Sequence, residues 1–287
     1  MDINWYPGHM AKAKRLMEEE LRLVDIIVEL LDARAPRSSI NPDLEKLYRD
    51  KLRLIVLTKS DCADSDITKK WLAHFKAEGH HAIDVNCLDN RSMNATKRWI
   101  NRFCEKKRRE YRERKGINKT IRAMVIGIPN VGKSTFINAL SGGRRAKVGD
   151  RPGVTKGKQW IGVNPYFELL DTPGVLWPKL DDKQTGLNLS YIGSIRSDLI
   201  DFEYLVTNFI DTMKSMYPDR ISEYYGLEDL DRTSIELLYD ICERRSWLRA
   251  GGELDIDKGA RQIIRDFQQG KLGRVSLEVP FIKEEER

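Results

Sequence analysis

The octapeptide G-I-P-N-V-G-K-S at residues 127–134 decides the fold of this chain. It matches the pattern G-x-x-x-x-G-K-[ST], and it lies between an apolar run that predicts a strand and a helical pattern that begins at Lys133. The glycines let successive backbone N–H groups turn toward one anion, and the dipole of the helix adds to that attraction. The stretch therefore predicts a phosphate-binding loop in an α/β fold.

The chemistry of such a loop assigns roles to single residues. We expect Lys133 to contact the β- and γ-phosphate oxygens and to stabilise charge during phosphoryl transfer. The hydroxyl of Ser134 is expected to bind Mg²⁺. Further nucleotide contacts are expected from four neighbours: Asn130, Val131, Gly132 and Thr135.

A second motif, D-T-P-G at residues 171–174, follows another apolar run. We expect Asp171 to hold the metal through water and the backbone amide of Gly174 to sense the γ-phosphate. In a P-G-V-T stretch upstream, Thr155 is the candidate switch threonine, whose hydroxyl would reach Mg²⁺ only in the triphosphate state. The alternative is that Thr155 is an ordinary loop threonine.

A third motif, T-K-S-D at residues 58–61, is suited to reading a base. Asp61 can accept two hydrogen bonds from the ring N–H and the exocyclic amino group of guanine, a pattern that adenine does not supply. We expect Lys59 to lie along the plane of the base. The motif usually begins with Asn, and here Thr58 stands in its place, which puts at risk one hydrogen bond that braces the loop. GTP and GDP are therefore expected ligands, in preference to ATP.

The three motifs stand in an unusual order. In an ordinary GTPase the phosphate loop comes first, whereas here the base-reading motif precedes it. A weaker base-contacting element is expected near Asn86 and Cys87. Alternating strand and helix patterns in the first two-thirds of the chain predict parallel βαβ units. We therefore predict an α/β fold with a circularly permuted, Ras-like P-loop domain, a rearrangement that domain termini lying close together permit.

The organisation of the chain changes beyond residue 180, where helical patterns continue without strands. We predict a nucleotide domain at residues 1–184 and a small all-α domain at residues 185–287. Upstream, the first strand is predicted to end in a polar loop at residues 32–42. Because the D-T-P-G motif leads almost directly into the helical region, a change at the γ-phosphate could pull on that region.

Composition narrows the class of protein. The four cysteines form no C-x-x-C pair and no His/Cys cluster, which argues against a disulfide framework or a zinc module and fits a cytoplasmic setting. Neither a secretion signal nor a membrane span is expected. The net charge of +6 is uneven, since residues 102–122 hold ten Lys or Arg and three Glu. That stretch is either a solvated helix face or a phosphate contact surface.

Several longer motifs show that the chain resembles the circularly permuted GTPases, in particular their bacterial ribosome-biogenesis branch. They are W-Y-P-G-H-M at residues 5–10, D-A-R-A-P at 32–36, D-R-P-G-V-T at 150–155, D-T-P-G-V-L-W-P at 171–178 and G-K-L-G-R at 270–274. The resemblance spans nearly the whole chain. It implies a permuted Ras-like domain followed by a helical RNA-binding domain, and a role in late assembly of the large ribosomal subunit.

The position after D-T-P-G is Val175, where Ras-like enzymes place a glutamine that orients the attacking water. Slow intrinsic hydrolysis is therefore expected, with stimulation by the ribosomal particle. His9 is the candidate catalytic residue, and the alternatives are a helix-start residue or an RNA contact. Asn130 is the residue that potassium-stimulated relatives use to hold K⁺, and the alternative is a loop-capping asparagine.

The preferred function is a GTP-hydrolysing assembly factor that binds the rRNA of a large-subunit precursor in the GTP state and leaves after hydrolysis. Expected ligands are GTP or GDP, Mg²⁺ and, as a candidate, K⁺. Ribosomal proteins are candidate partners, and neither a membrane nor DNA is expected as one. Two alternatives stay open: an RNA-binding structural factor whose nucleotide site only stabilises the fold, and a permuted GTPase that serves the small subunit.

Seven cations near Trp247 are the candidate RNA contacts in the helical region, because cationic groups beside an aromatic ring suit phosphate contact and base stacking. They are Arg244, Arg245, Arg249, Arg261, Arg265, Lys271 and Arg274. The alternative is a solvated helix surface with Trp247 in the core.

Overall fold

The computed structural model describes residues 17–143, 159–172, 174, 176, 182–195 and 201–280. Within these ranges no helix is both long enough and apolar enough to cross a membrane. His9, Thr155 and Val175 lie outside the described residues, so the roles expected for them stay predictions.

One sheet forms the centre of the nucleotide domain, with its six strands in the order β3-β2-β1-β4-β6-β5. The strands are β1 Ile26–Asp32, β2 Leu52–Thr58, β3 His81–Val85, β4 Ile121–Gly127, β5 Gln159–Asn164 and β6 Phe167–Asp171. Neighbouring strands run parallel, except for β5, which is antiparallel to β6. The predicted α/β fold is confirmed.

The strand order reverses between β1 and β4. Strands β1 to β3 extend the sheet in one direction, and β4 to β6 extend it in the other. The phosphate loop follows β4, and the base-reading motif begins at the end of β2. In open α/β sheets a ligand binds outside the carboxyl ends of the strands at such a reversal. Because β2 and β4 both run parallel to β1, the two motifs lie at the same edge of the sheet.

Helices cover both faces of the sheet. They are α1 Pro36–Ser39, α2 Pro42–Glu45, α3 Ser65–Ala77, α4 Asn90–Lys115 and α5 Lys133–Ser141, and residues 17–21 are also helical. Leu31 packs with Trp71 of α3 on one face, whereas Leu30 packs with Ile100 of α4 and Phe136 of α5 on the other. Because successive side chains of a strand point to opposite faces, a strand buried on both sides is apolar throughout.

The helical region begins at residue 182 and contains five described helices. They are α6 Lys183–Tyr191, α7 Phe202–Met216, α8 Pro218–Tyr225, α9 Ser234–Arg244 and α10 Ile256–Gln268. Phe209 of α7 lies at the centre, with its ring 5.1 Å from the rings of both Tyr191 and Phe267. These side chains belong to the same core cluster as Leu30 and Phe136, so the helical region packs onto the sheet domain. The predicted boundary at residues 184 and 185 falls inside α6.

The chain returns to the nucleotide domain after α10. We call residues 270–280 the C-terminal strap. The amide of Val275 donates to the carbonyl of Cys62 over 2.9 Å, and the amide of Leu277 donates to the carbonyl of Arg34 over 2.7 Å. The indole of Trp71 donates to the carbonyl of Glu278 over 3.1 Å. The strap therefore crosses the loops that follow β1 and β2.

Candidate nucleotide site

Lys133 lies beneath the phosphate loop, at the first position of α5. Its ammonium donates to the carbonyls of Gly127 and Ile128 over 3.0 and 2.9 Å. The residue is only 8% exposed, and burial lowers its pKa to about 8, while the charge of Asp171 opposes that shift. A buried ammonium gains most from a fully charged partner, so phosphate oxygens are better acceptors for it than carbonyls.

Thr58 braces the phosphate loop from the end of β2. Its hydroxyl lies 2.7 Å from the carbonyl oxygen of Val131 and 3.2 Å from that of Leu31, and the side chain is buried. The brace that the Asn-to-Thr change put at risk is therefore present. A shorter side chain suffices because the end of β2 lies directly beside the loop.

The end of α6 holds the other side of the phosphate loop. The amide nitrogen of Asn130 donates to the carbonyl of Gly193 over 2.8 Å, and the hydroxyl of Ser194 donates to the carbonyl of Pro129 over 2.8 Å. Asn130 has a positive φ of 58°. It thus joins the loop to the helical region, a contact that the sequence did not predict, and both its contact with K⁺ and the loop-capping alternative stay predictions.

Asp171 and Ser134 are the residues that could hold Mg²⁺. Asp171 is 2% exposed, and its Oδ1 is buried without a hydrogen-bond partner among the described residues. Burial raises the pKa of this carboxyl, although Lys133 opposes the rise. A buried carboxylate oxygen without a donor fits a hydrated cation, and Ser134, half-buried at the start of α5, offers the hydroxyl that such a cation takes beside phosphate oxygens.

Gly174 lies against the phosphate loop with no room for a side chain. A Cβ at this position would lie 2.8 Å from both the Lys133 ammonium and the Cα of Pro129. Among the other predicted loop residues, Val131 is buried, Thr135 is half-buried, and Gly132 has a φ of 100°, a backbone conformation that suits glycine. The predicted phosphate contacts and the D-T-P-G motif thus meet at one place.

The base-reading residues lie at the neighbouring strand ends. The amide of Ser60 donates to the carbonyl of Val85 over 3.4 Å, which places the loop after β2 beside the loop after β3. Asp61 is exposed, as acceptance of hydrogen bonds from a base requires. The side chain of Asn86 accepts from the amide of Leu88 over 2.9 Å and so shapes the second element. Cys87 is half-buried, and burial raises the pKa of its thiol to about 12, so the side chain is neutral.

Two residues beside the base-reading loop were missed as site residues. Asp32 and Arg34 are fully buried, and two nitrogens of the guanidinium contact the two oxygens of the carboxylate over 2.9 and 2.8 Å. The ammonium of Lys59 lies 3.0 Å from the same carboxylate. The loop that was predicted as polar is therefore largely buried, because its charges neutralise one another. The D-A-R-A-P motif at residues 32–36 was the sequence signal that could have identified both residues.

Known proteins with similar sequences match this chain over most of their length. Residues 122–232 match the family described as 50S ribosome-binding GTPase. Ribosome biogenesis GTPase A of Bacillus cereus is 43% identical over 284 residues, covering 98% of this chain and 95% of the relative. Mitochondrial ribosome-associated GTPase 1 of Bos taurus is 33% identical over 296 residues, covering 96% and 88%.

A solved structure agrees with the fold. The crystal structure of GNP-bound YlqF from T. maritima is 29% identical, with a TM-score of 0.65, and the match covers 94% of this chain and 98% of that one. The sheet with its order reversal, the phosphate loop preceded in sequence by the base-reading motif, and identity of 43% over nearly the whole length together show that the chain belongs to the ribosome biogenesis GTPase A family of circularly permuted GTPases.

Proposed function

We propose that this GTPase acts in late maturation of the large ribosomal subunit, where it binds rRNA of the precursor with GTP bound and leaves after hydrolysis. The names of its relatives support the ribosomal assignment, and the matching family is described as binding the 50S subunit. In this proposal the chain works in the cytoplasm, with ribosomal proteins as additional partners. The proposed division into a nucleotide domain at residues 1–184 and a helical RNA-binding domain at residues 185–287 is kept, with α6 crossing the boundary and the strap returning to the first domain.

The observation that carries the proposal is that the helical region forms hydrogen bonds with the phosphate loop. The carbonyl of Gly193 and the hydroxyl of Ser194 both bind that loop, directly after α6. If the phosphate loop moves when the γ-phosphate is bound or lost, Asn130 and Pro129 move with it. Their hydrogen bonds to Gly193 and Ser194 then displace the end of α6. Nucleotide state and RNA affinity are then linked through a contact that each ligand can bias.

The nucleotide is held by residues at three strand ends. Asp61 and Lys59 take the guanine, with Asn86 and Cys87 on its other side, while the loop at residues 130–135 takes the phosphates. Mg²⁺, when bound, would neutralise phosphate charge during phosphoryl transfer. The hydroxyl of Ser134 and the carboxylate of Asp171 would hold it, together with Thr155 and the nucleotide in the triphosphate state.

Hydrolysis in this proposal relies on residues beyond the described part of the nucleotide site. Val175 does not hydrogen-bond water, so His9 is the residue that would position the nucleophile when the ribosomal particle is bound. K⁺ beside Asn130 would supply the positive charge that an arginine supplies in other GTPases. Turnover measured in K⁺ and in Na⁺ at equal ionic strength tests the ion, and the His9→Ala variant tests the histidine.

The exposed face of α10 is the part of the helical region best suited to RNA. Lys258, Arg261 and Arg265 are exposed and lie on one face of the helix. Other predicted contacts are engaged within the protein: Arg244 pairs with Asp240, Arg249 with Asp255 and Asp257, and Lys271 with Asp266. Trp247 is half-buried and packs against the core. We therefore place the main RNA contact on α10 and the neighbouring Arg274.

Co-sedimentation tests this function. The protein is mixed with separated ribosomal subunits and precursors in the presence of GTP, a non-hydrolysable analogue or GDP. Binding to large-subunit precursors with the analogue, loss of binding with GDP, and GTP turnover stimulated by the same particles are expected. Equal binding in all nucleotide states without stimulated turnover would instead support an RNA-binding structural factor, and preference for small subunits would support the other alternative.

A further inference from the structure

Arg34 connects three parts of the molecule through a single buried guanidinium. One side of its planar fork contacts Asp32 at the end of β1 over 2.9 and 2.8 Å. The remaining nitrogen donates to the carbonyls of Phe267 and Gln268 over 3.2 and 3.4 Å. Those carbonyls belong to the last turn of α10, where backbone acceptors lack partners within the helix. The ring of Phe267 also lies 4.9 Å from the guanidinium.

Asp32 connects Arg34 to the base-reading loop. Its carboxylate lies 3.0 Å from the ammonium of Lys59. Lys59 has a positive φ of 55°, an uncommon conformation for a residue with a side chain, so the loop needs a contact that holds it. Burial alone would raise the pKa of Asp32, but Arg34 and Lys59 outweigh it and hold the pKa well below its usual value. The carboxylate therefore stays charged and keeps its ion pair with Lys59.

We infer that Arg34 is a positioning residue of the guanine pocket: it fixes Asp32, and Asp32 fixes Lys59 in the place where it meets the base. Because the same guanidinium caps α10, the packing of the helical region against Arg34 sets part of the affinity for guanine nucleotides. The inference rests on the proposed nucleotide site. It adds a path from the helical region to the base, distinct from the path through Ser194 to the phosphates.

Lysine is not an equivalent of Arg34, because a single ammonium does not contact both oxygens of Asp32 and the helix end together. The first test therefore compares the wild type with the variants Arg34→Lys, Lys59→Met and the double variant. Calorimetry with GDP and Mg²⁺ gives the Kd of each. We expect Arg34→Lys to weaken GDP binding by about tenfold. In the Lys59→Met background the same change should have less than about a twofold effect, because Arg34 acts through Lys59.

Arg53→Lys is the matched control for this test. Arg53 is also buried and paired with a buried carboxylate, that of Glu29, but it lies near the beginning of β2, away from the loops. Its replacement should lower the unfolding temperature and leave the Kd for GDP unchanged. For GTP turnover, Arg34→Lys should raise KM and leave kcat within about a factor of two, as expected when ground-state and transition-state binding weaken equally.

A second variant probes Arg34 from the helical side. Phe267→Leu removes the ring that packs on the guanidinium, and we expect a rise of about threefold in the Kd for GDP. Phe202→Leu is its control, since that ring lies 4.0 Å from the guanidinium of the exposed Arg261 and not against Arg34. The control should leave GDP binding unchanged. This pair keeps the inference testable even if Arg34→Lys does not fold.

The outcomes separate the inference from the proposed function. Absence of GDP binding by the wild-type protein would overturn both. Normal GDP binding that Lys59→Met weakens, but that Arg34→Lys and Phe267→Leu leave unchanged, would overturn the inference alone. Additive effects of Arg34→Lys and Lys59→Met would also overturn it, because they would show that Arg34 affects GDP binding independently of Lys59.

Discussion

Thr58 ties the base-reading strand to the phosphate loop with one hydroxyl. The contact to the carbonyl of Val131 is 2.7 Å long and buried. Because a hydroxyl donates a single hydrogen bond, this side chain is a minimal brace between the two halves of the pocket. Its loss would leave the carbonyl of Val131 buried and without that donor.

The variant Thr58→Val should therefore weaken GDP binding by about fivefold, since a neutral hydrogen bond contributes about 1 kcal/mol. Calorimetry measures the Kd. Thr58→Asn restores a donor and should bind GDP like the wild type. Thr96→Val is the matched control, because the hydroxyl of Thr96 bonds within α4, to the carbonyl of Ser92 over 2.9 Å. A Thr58→Val protein with unchanged affinity would show that the brace is not needed.

Lys133 makes nucleotide binding dependent on pH. In the free protein its pKa is lowered to about 8, so near pH 8 about half of the molecules carry a neutral lysine. Phosphate oxygens favour the charged form, and binding at this pH should take up about half a proton at this side chain. Calorimetry in two buffers of different ionisation enthalpy measures the uptake.

The variant Lys133→Arg provides the comparison, because arginine is charged at every pH used. At pH 8 the wild type should take up clearly more protons on binding than the variant does. At pH 6.5, where Lys133 is fully charged, the difference in proton uptake should be close to zero. Equal uptake by the two proteins at pH 8 would contradict the lowered pKa.

At the scale of elements, α6 connects the nucleotide to the helical region. Its end is built to reach the phosphate loop: Gly193 has a φ of 79° and reverses the chain, so that Ser194 points to the carbonyl of Pro129. Both Ser194 and that contact are buried. A rigid helix with a buried polar contact at its end transmits a displacement of the loop.

The variant Ser194→Ala should therefore reduce the difference in RNA affinity between the GTP-analogue and GDP states by about fivefold, the effect of losing one buried hydrogen bond. Filter binding to large-subunit rRNA fragments measures both affinities. Ser190→Ala is the control, since the hydroxyl of Ser190 bonds within α6, to the carbonyl of Gly186 over 2.7 Å. An unchanged difference would mean that the nucleotide acts on the helical region by another route.

The elements differ in how far the sequence predicts them. The phosphate loop and its flanking strand and helix are recognisable because glycines, a lysine and an apolar run lie within a dozen residues. The hydrogen bonds between the end of α6 and the phosphate loop are not recognisable in the sequence, since Gly193 and Ser194 lie 63 and 65 residues from their partners. The loop at residues 32–42 looked polar because Arg34 is charged, and its burial depends on Phe267, 233 residues away.

At the scale of the whole molecule, the C-terminal strap closes the two regions onto each other. The carboxylate of Glu278 accepts from the amides of Arg37 and Ser38 over 2.7 and 3.1 Å and from the side chain of Asn188 over 3.0 Å. The hydroxyl of Ser38 also bonds to this carboxylate. One side chain thus joins the strap to α1 and α6.

The variant Glu278→Gln should lower the free energy of unfolding by about 1 to 2 kcal/mol, because a charged acceptor of several hydrogen bonds becomes neutral. Differential scanning calorimetry should show Tm lower by a few degrees within a single transition, since one core spans both regions. Glu243→Gln, at an exposed position of α9, should leave Tm unchanged. Two separate transitions would contradict the shared core.

The strap has a consequence for the order of events during synthesis. A nascent chain emerges from its N-terminus, and folding begins before synthesis ends. The amide of Asp64 donates to the hydroxyl of Ser276, which is added 212 residues later. Until residues 270–278 have been translated, the loops after β1 and β2 lack the hydrogen bonds that the strap supplies. Those loops therefore gain their strap contacts only after the whole helical region has been made, so a ribosome that is still translating this region holds an incompletely braced copy of a factor proposed to serve ribosomes.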